Sequence, residues 1–158
     1  IYFTFKIEGI SRACSHQLVR HRMCSFTQRS QRYCNEESFT ITPVQTIYKK
    51  DKEQIYFDTM DEIDNCYKKL QALGVPNEDA RYILPNACTT ELYLSCNLRE
   101  LIHIANERLC SKAQWEIREL VQKMVALVDP KLQFMLVPKC GSGRIICHTP
   151  CNKKEETK

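Results

Sequence analysis

Residues 89–126 constrain the fold most tightly, because their hydrophobic period switches from that of a strand to that of a helix. "TTELYLSCN" (89–97) alternates, placing Leu92 and Leu94 on one face of a strand. "NLRELIHIANERLC" (97–110) then sets Leu98, Leu101, Ile102, Ala105 and Leu109 in one helical stripe. A second helix is predicted to open at "SKAQ", a capping-box pattern at Ser111 and Gln114. It continues through Ile117, Leu120, Val121 and Met124 at helical spacing. The start of the chain repeats the strand pattern: "YFTFKIEGI" places Tyr2, Thr4 and Lys6 on one face and Phe3, Phe5 and Ile7 on the other. A helix over "SRACSHQLVRHR" (11–22) follows, with Cys14 and Leu18 on its apolar side and Gln17, Arg20 and His21 sharing another face. Residues 24–32 read as a polar loop. Residues 51–74 read as a long helix, with Gly74 beyond its end and Pro76 preventing continuation. "NEDARYIL" adds a helical turn or two before Pro85. Strands and helices mix without a regular βαβ rhythm, so the expected class is α+β, a mainly antiparallel sheet packed with helices.

The chain's 158 residues suit one domain with a sizeable core. A hydrophobic fraction of 43% and a charged fraction of 27% are ordinary for a soluble globular protein. No run of about 18 apolar residues offers a membrane span. The opening residues lack an initiating Met and the layout of a signal peptide, so the chain reads as a fragment that begins inside a folded element. Ten cysteines without a secretory signal point to a reducing, cytoplasmic setting and mostly free thiols. Cys140, Cys147, His148 and Cys151 could supply four zinc ligands, but their spacing is not that of a familiar zinc module, and no metal is expected. The net charge of +4 is too mild and too dispersed to imply a nucleic-acid partner.

One stretch departs from that even spread. "RHRMCSFTQRSQRY" (20–33) concentrates Arg20, His21, Arg22, Arg29 and Arg32, with hydroxyls and amides between them. A guanidinium offers a planar fork of donors that matches phosphate geometry. Ser30 and nearby backbone N–H groups could complete a phosphate cradle, and Gln28 or Gln17 could read an amide-like base edge. The bland alternative is a solvated basic loop. In helix 97–110, Arg99, His103 and Asn106 fall on one side of the apolar stripe and Arg108 on the opposite side, near the phase of Asn97. Such a helix could be wedged between two ligands or two subunits, or could be an ordinary amphipathic surface helix. Arg81 has no local partner, and Trp115 reads as a core or interface residue. A Ser30 nucleophile served by His21 has neither a GxSxG elbow nor a nearby acid to support it.

Arg20-His21-Arg22, then seven residues, then Ser30, resembles the RHR-x7-S signature of flavin-dependent thymidylate synthases. The likeness extends through "QLVRHR", "SQRY", "ARYILPNACTTELYLSCNLRELIHIANERLC" and "AQWEIREL", covering roughly residues 1–128. It implies a thymidylate synthase domain over 1–135, incomplete at its N-terminus, followed by a Cys/Lys-rich tail over 136–158. The implied reaction is methylation of dUMP to dTMP. Methylenetetrahydrofolate would give the carbon, and reduced FAD, regenerated from NADPH, the hydride. The resemblance assigns Arg20, His21, Arg22, Gln28, Asn97, Leu98, Arg99 and His103 to FAD. To dUMP it assigns Gln17, Arg20, Gln28, Arg29, Ser30, Gln31, Arg32, Arg81 and Arg108. Arg108 takes the catalytic role, favouring ionisation of the uracil ring nitrogen between its two carbonyls, so no protein nucleophile is needed. The family is expected to form homotetramers with active sites between subunits.

The chain departs from the family in three ways. Gln28 stands where many relatives carry Glu, keeping the hydrogen-bonding reach but not the base. An upstream Thr/Ser-Pro-x-Glu-His-like stretch that helps bind flavin is not among these residues. The cysteine-rich tail lies where relatives vary. Two other function classes compete with the enzyme. The 20–33 segment, with Phe26 and Tyr33, could bind single-stranded RNA by stacking and phosphate contacts. The tail could make the chain a structural zinc protein.

Overall fold

The computed structural model describes residues 1–31, 39–48, 53–143 and 146–148. Its elements run β1 (Tyr2–Ser11), α1 (Arg12–Leu18), β2 (Ser25–Gln28), α2 (Gln45–Tyr48), α3 (Glu53–Ala72) and α4 (Asn77–Ala80). A short 3-10 turn (Arg81–Ile83), β3 (Thr89–Asn97), α5 (Leu98–Arg108), α6 (Trp115–Ala126), α7 (Pro130–Gln133) and α8 (Lys139–Ser142) follow. The three strands form one antiparallel sheet in the order β1-β3-β2, so the expected α+β class holds.

The central strand β3 buries Thr90, Leu92, Leu94 and Cys96 on one face, as its alternation predicts. On β1 the alternation changes phase. Phe5 and Ile7 are buried, but the next buried positions are Ile10 and Ser11. Gly9 lies between them at a φ of 72°, a conformation that L-residues with a Cβ seldom adopt. The strand register agrees. Thr4 meets Ser95, their hydroxyls 2.9 Å apart. Arg12 N–H, however, donates to the Cys88 carbonyl (2.9 Å), one residue out of step with that pairing. One extra residue on β1 is the mark of a β-bulge. It turns the end of the strand so that α1 can begin at once.

Contacts divide the chain into two compact units. The first comprises Ile1–Phe5, Gln17–Phe26 and Leu94–Lys158. Its core is built where α5 packs on α6, with Leu101, Ile104, Ile117 and Val121 fully buried. Each such side chain contributes about 1.5–3 kcal/mol of transfer free energy. The second unit comprises Lys6–His16 and Thr27–Tyr93. There α3 packs against α4 and the 3-10 turn, and Ile7, Cys14, Tyr67, Ala80 and Leu92 are buried.

Four local expectations are corrected. The first helix stops at Leu18, so Arg20, His21 and Arg22 lie in turns beyond it and share no helical face with Gln17. Residues 24–32 are not all loop, because Ser25–Gln28 forms the edge strand β2. Gln114, rather than Ser111, caps α6: its side-chain oxygen accepts from the N–H groups of Glu116 (3.1 Å) and Ile117 (3.2 Å). Ser111 belongs to a preceding turn, closed by Ala113 N–H on the Cys110 carbonyl (2.9 Å). On α5 the most deeply buried apolar side chains are Leu101, Ile104 and Ala105, with Asn106 buried beside them rather than on a polar side.

Candidate active site

In the first unit the chain leaves α1 through two turns. His21 N–H donates to the Leu18 carbonyl (3.1 Å) and Cys24 N–H to the His21 carbonyl (3.2 Å). These turns aim His21 inward, leaving it 5% exposed, while Arg20 and Arg22 stay exposed. The buried imidazole then collects groups from α5. Arg108 Nε donates to His21 Nε2 at 3.0 Å, and Arg108 Nη2 donates to the Gln17 carbonyl at 3.2 Å. The His103 ring meets the His21 ring edge-on, 5.5 Å between centroids. Glu100 Oε1 lies 3.7 Å from His21 Nδ1. Arg108 and His103, expected in different directions from α5, thus converge on one imidazole.

Burial, followed by the neighbouring Arg108 and His103, pushes the His21 pKa down to about 4. His21 is therefore neutral at pH 7, and its contact with Glu100 is not an ion pair. Because Nε2 accepts from Arg108, the single ring proton sits on Nδ1, facing Glu100. Nδ1 or Nε2 of the two histidines and a Glu100 oxygen lie within 4.8 Å of one another, near enough for a three-ligand cation site. The Arg108 guanidinium on His21 already supplies positive charge there.

Asn97 has a structural duty. Its side-chain oxygen accepts from Glu100 N–H at 2.9 Å, capping α5, and its amide N–H groups are left for other partners. Replacing it by Ala should cost about 1 kcal/mol in a urea unfolding titration, whereas Asp, which keeps the accepting oxygen, should unfold within a few tenths of the parent. Leu98 is half-buried, and Arg99 and His103 are exposed along α5. The first unit therefore holds Gln17, Arg20, His21, Arg22, Asn97, Leu98, Arg99, His103 and Arg108.

The second unit holds Gln28, Arg29, Ser30, Gln31 and Arg81. Gln28 Nε2 donates to Ser15 Oγ and Thr90 Oγ1, each at 3.2 Å, which locks the end of β2. Arg29 is held through its backbone, N–H to the Glu91 carbonyl at 3.0 Å, with its side chain exposed. Ser30 is half-buried. Gln31 is buried and donates to Cys88 Sγ at 3.6 Å. Arg81 Nε donates to the Glu78 carbonyl at 3.0 Å. Gln31 and Arg81 line a cleft of about 250 Å³, together with Arg12, His16, Tyr82 and Asn86. Sequence reasoning passed over Arg12 and His16. Their four-residue spacing on α1 was the available signal. Arg32 lies outside the described residues, as does Cys151 of the tail. Among the described residues, Cys140, Cys147 and His148 do not gather into a metal-ligating group. No described helix is long and apolar enough to cross a membrane.

A profile of the family described as "Thymidylate synthase complementing protein" matches residues 1–132. The chain belongs to that family. Among curated members of this thymidylate synthase complementing protein family, the flavin-dependent thymidylate synthase of Geobacter sulfurreducens is 46% identical over 147 residues. That alignment covers 89% of this chain and 63% of the relative. The flavin-dependent thymidylate synthase of Sulfurisphaera tokodaii is 47% identical over 144 residues, covering 87% of this chain and 55% of that protein. The chain thus spans roughly three-fifths of the length of these relatives. A crystal structure of thymidylate synthase X from Helicobacter pylori, with FAD and dUMP, shares the fold at a TM-score of 0.69 and 24% identity. The match covers 85% of this chain and 71% of that one.

Proposed function

We propose that this chain acts as a flavin-dependent thymidylate synthase, methylating dUMP to dTMP. The observation that carries the reading is the reach of Arg108 across to Gln17 and His21, which ties α5 to the Arg20-His21-Arg22 segment. The match to the family over residues 1–132 supports it. The donor set of the first unit suits a pyrophosphate-bearing cofactor: Arg20, Arg22 and Arg99 are exposed cations, and Asn97 keeps its amide donors free of the cap. Arg20, His21, Arg22, Gln28, Asn97, Leu98, Arg99 and His103 are the residues that would hold FAD. When bound and reduced by NADPH, FAD supplies the hydride that completes the methyl group, while methylenetetrahydrofolate supplies its carbon.

The chain's own residues position and polarise the nucleotide. Two of the five guanidinium N–H groups of Arg108 are spent on His21 and Gln17, which leaves three to face a ligand. A fixed guanidinium beside the uracil ring nitrogen stabilises the anion formed on deprotonation and raises electron density at the carbon to be methylated. Neutral His21 orients that guanidinium by accepting from it. Gln17, Arg20, Gln28, Arg29, Ser30, Gln31, Arg32 and Arg81 would surround the rest of dUMP. The active enzyme would be a homotetramer with shared sites, working in the cytoplasm, where the free thiols of the described cysteines are stable.

The test is to add FAD to the purified protein, remove the excess, and titrate dUMP while following the visible flavin band. A retained band that shifts with dUMP, and dTMP formation once NADPH and methylenetetrahydrofolate are added, are the expected results. Salt-dependent RNA binding with no retained flavin would overturn the reading and favour a nucleic-acid module.

A further inference from the structure

The edge pairing of β2 on β3 brings together two thiols that the proposed chemistry does not use. Arg29 N–H donates to the Glu91 carbonyl at 3.0 Å. In an antiparallel pair, each residue forward on one strand is matched by one residue back on the other. That bond therefore sets Gln28 opposite Leu92, Phe26 opposite Leu94 and, just ahead of β2, Cys24 opposite Cys96. Burial agrees with this register. Cys24, Phe26 and Gln28 are half-buried and alternate with exposed Ser25, Thr27 and Arg29, while Leu92, Leu94 and Cys96 are buried. The Gln28 amide, bonded to Thr90 Oγ1 at 3.2 Å, lies on the same face. The thiols themselves meet: Cys24 and Cys96 hydrogen-bond to each other, and both belong to the first unit. Arg29–Glu91 is a hydrogen-bonded pair and the two kinds of pair alternate, so Cys24–Cys96 falls at a non-hydrogen-bonded position. Opposed Cα atoms lie about 4.5 Å apart there, inside the span of about 4.4–6.8 Å that a disulfide bridges.

We propose that Cys24 and Cys96 form a reversible cross-strand disulfide, a staple that closes when the surroundings turn oxidising. The inference is independent of the flavin reading. A small disulfide such as oxidised glutathione is the electron acceptor. The Cys24 thiolate attacks one of its sulfurs, forming a mixed disulfide and releasing one glutathione thiol. The Cys96 sulfur then attacks the Cys24 sulfur and expels the second. Two protein thiols lose two electrons and two protons, and one glutathione disulfide gains them as two thiols. Cys24 is the point of entry because it is half-buried, whereas Cys96 is 2% exposed. Burial, followed by the neighbouring Cys96 and Glu100, pushes the Cys24 pKa up to about 12. Its thiolate is therefore scarce at pH 7 and exchange is slow, so the pair answers to sustained oxidation and stays open in a reducing compartment. The staple joins two structural joints. Cys24 N–H closes a turn on the His21 carbonyl (3.2 Å), and Asn97, next to Cys96, caps α5. The bond fixes the Arg20-His21-Arg22 turns to the start of α5, and the long loop it closes constrains the unfolded chain.

Incubating the purified protein with excess oxidised glutathione until its mass is constant, then alkylating it and sequencing its peptides by fragmentation, tests this. The parent should yield a Cys24–Cys96 cross-linked peptide, two hydrogens lighter than the sum of its parts. Its Tm should rise by about 5–15 °C on oxidation. Dithiothreitol should reverse both changes. Cys24→Ser and Cys96→Ala should each lose the link and the Tm gain. Oxidised and reduced forms are compared within each variant, so a variant less stable at the outset still reports, and either variant suffices if the other fails to fold. Glutathione adducts on the exposed Cys66 and Cys140 are common to all three proteins and do not enter the comparison. Recovery of Cys24 and Cys96 from the oxidised parent as free thiols, or joined to other cysteines, would overturn the inference. So would a Cys24–Cys96 link that lowers Tm, because the folded register would then not suit the bond.

Discussion

Arg108→Ala should lower the rate of dTMP formation by about 100- to 1,000-fold while leaving flavin bound. Its guanidinium is anchored by two hydrogen bonds within the first unit, to His21 Nε2 and to the Gln17 carbonyl. On the proposed function, the donors that remain would meet the ligand with little reorganisation. Such preorganised charge contributes to the transition state, in which negative charge grows on the uracil ring, more than to the ground state. The loss should therefore fall on kcat, measured in single turnovers with reduced flavin, with dUMP affinity changed far less. Arg108→Lys should rescue little, because one ammonium cannot span both anchors and still face the ring. Turnover equal to the parent's would remove the activating role from this residue.

Lowering the pH should destabilise the protein through His21, by on the order of 2 to 3 kcal/mol between pH 7 and pH 4.5. In the folded chain His21 takes up a proton only near pH 4, against an ordinary value of 6.5 in the unfolded chain. Below about 6.5 the unfolded state binds a proton that the folded state refuses, so stability falls with pH and levels off once both states are protonated. The first cause is burial, and the second is the Arg108 guanidinium seated on the ring. Urea unfolding at the two pH values, run on the parent and on His21→Gln, isolates the contribution, since the other titrating groups are common to both. The parent should lose more stability than the variant by that margin, and equal losses would show that His21 is not held neutral. Arg108→Ala should shrink the same difference, because it removes a cation from beside the ring.

Much of the architecture was legible because it rests on short-range periodicity. The alternation of residues 89–97, the helical stripe after Asn97 and the Gly74 stop are local patterns, and strand Thr89–Asn97, helix Leu98–Arg108 and helix Glu53–Ala72 lie where those patterns place them. The RHR-x7-S string and the matched stretches on either side of it were likewise readable, and the match over residues 1–132 places the chain in the corresponding family. The misses share a cause. "SFTQ" becomes β2 only because β3 offers it an edge to pair with, a choice made by a partner more than 60 residues away. Both Ser111 and Gln114 can cap a helix, and the turn closed on Cys110 decided between them.

By itself, the sequence determined the kinds of element, their order and the chemical types available for binding: guanidiniums, imidazoles and amides, with few acids among them. Those properties follow from side-chain chemistry and from periods of two and 3.6 residues, which need no distant partner. Only the tertiary structure decided which of those groups meet. It ended α1 at Leu18, buried His21, and brought residue 108 to residues 17 and 21, so that an ordinary histidine became a neutral acceptor that orients the Arg108 guanidinium. It also turned β1 at Gly9 and set Arg12 and His16 opposite Arg81. Protonation state and charge convergence depend on distances of a few ångströms between residues far apart in the chain, and those distances exist only once the chain has packed.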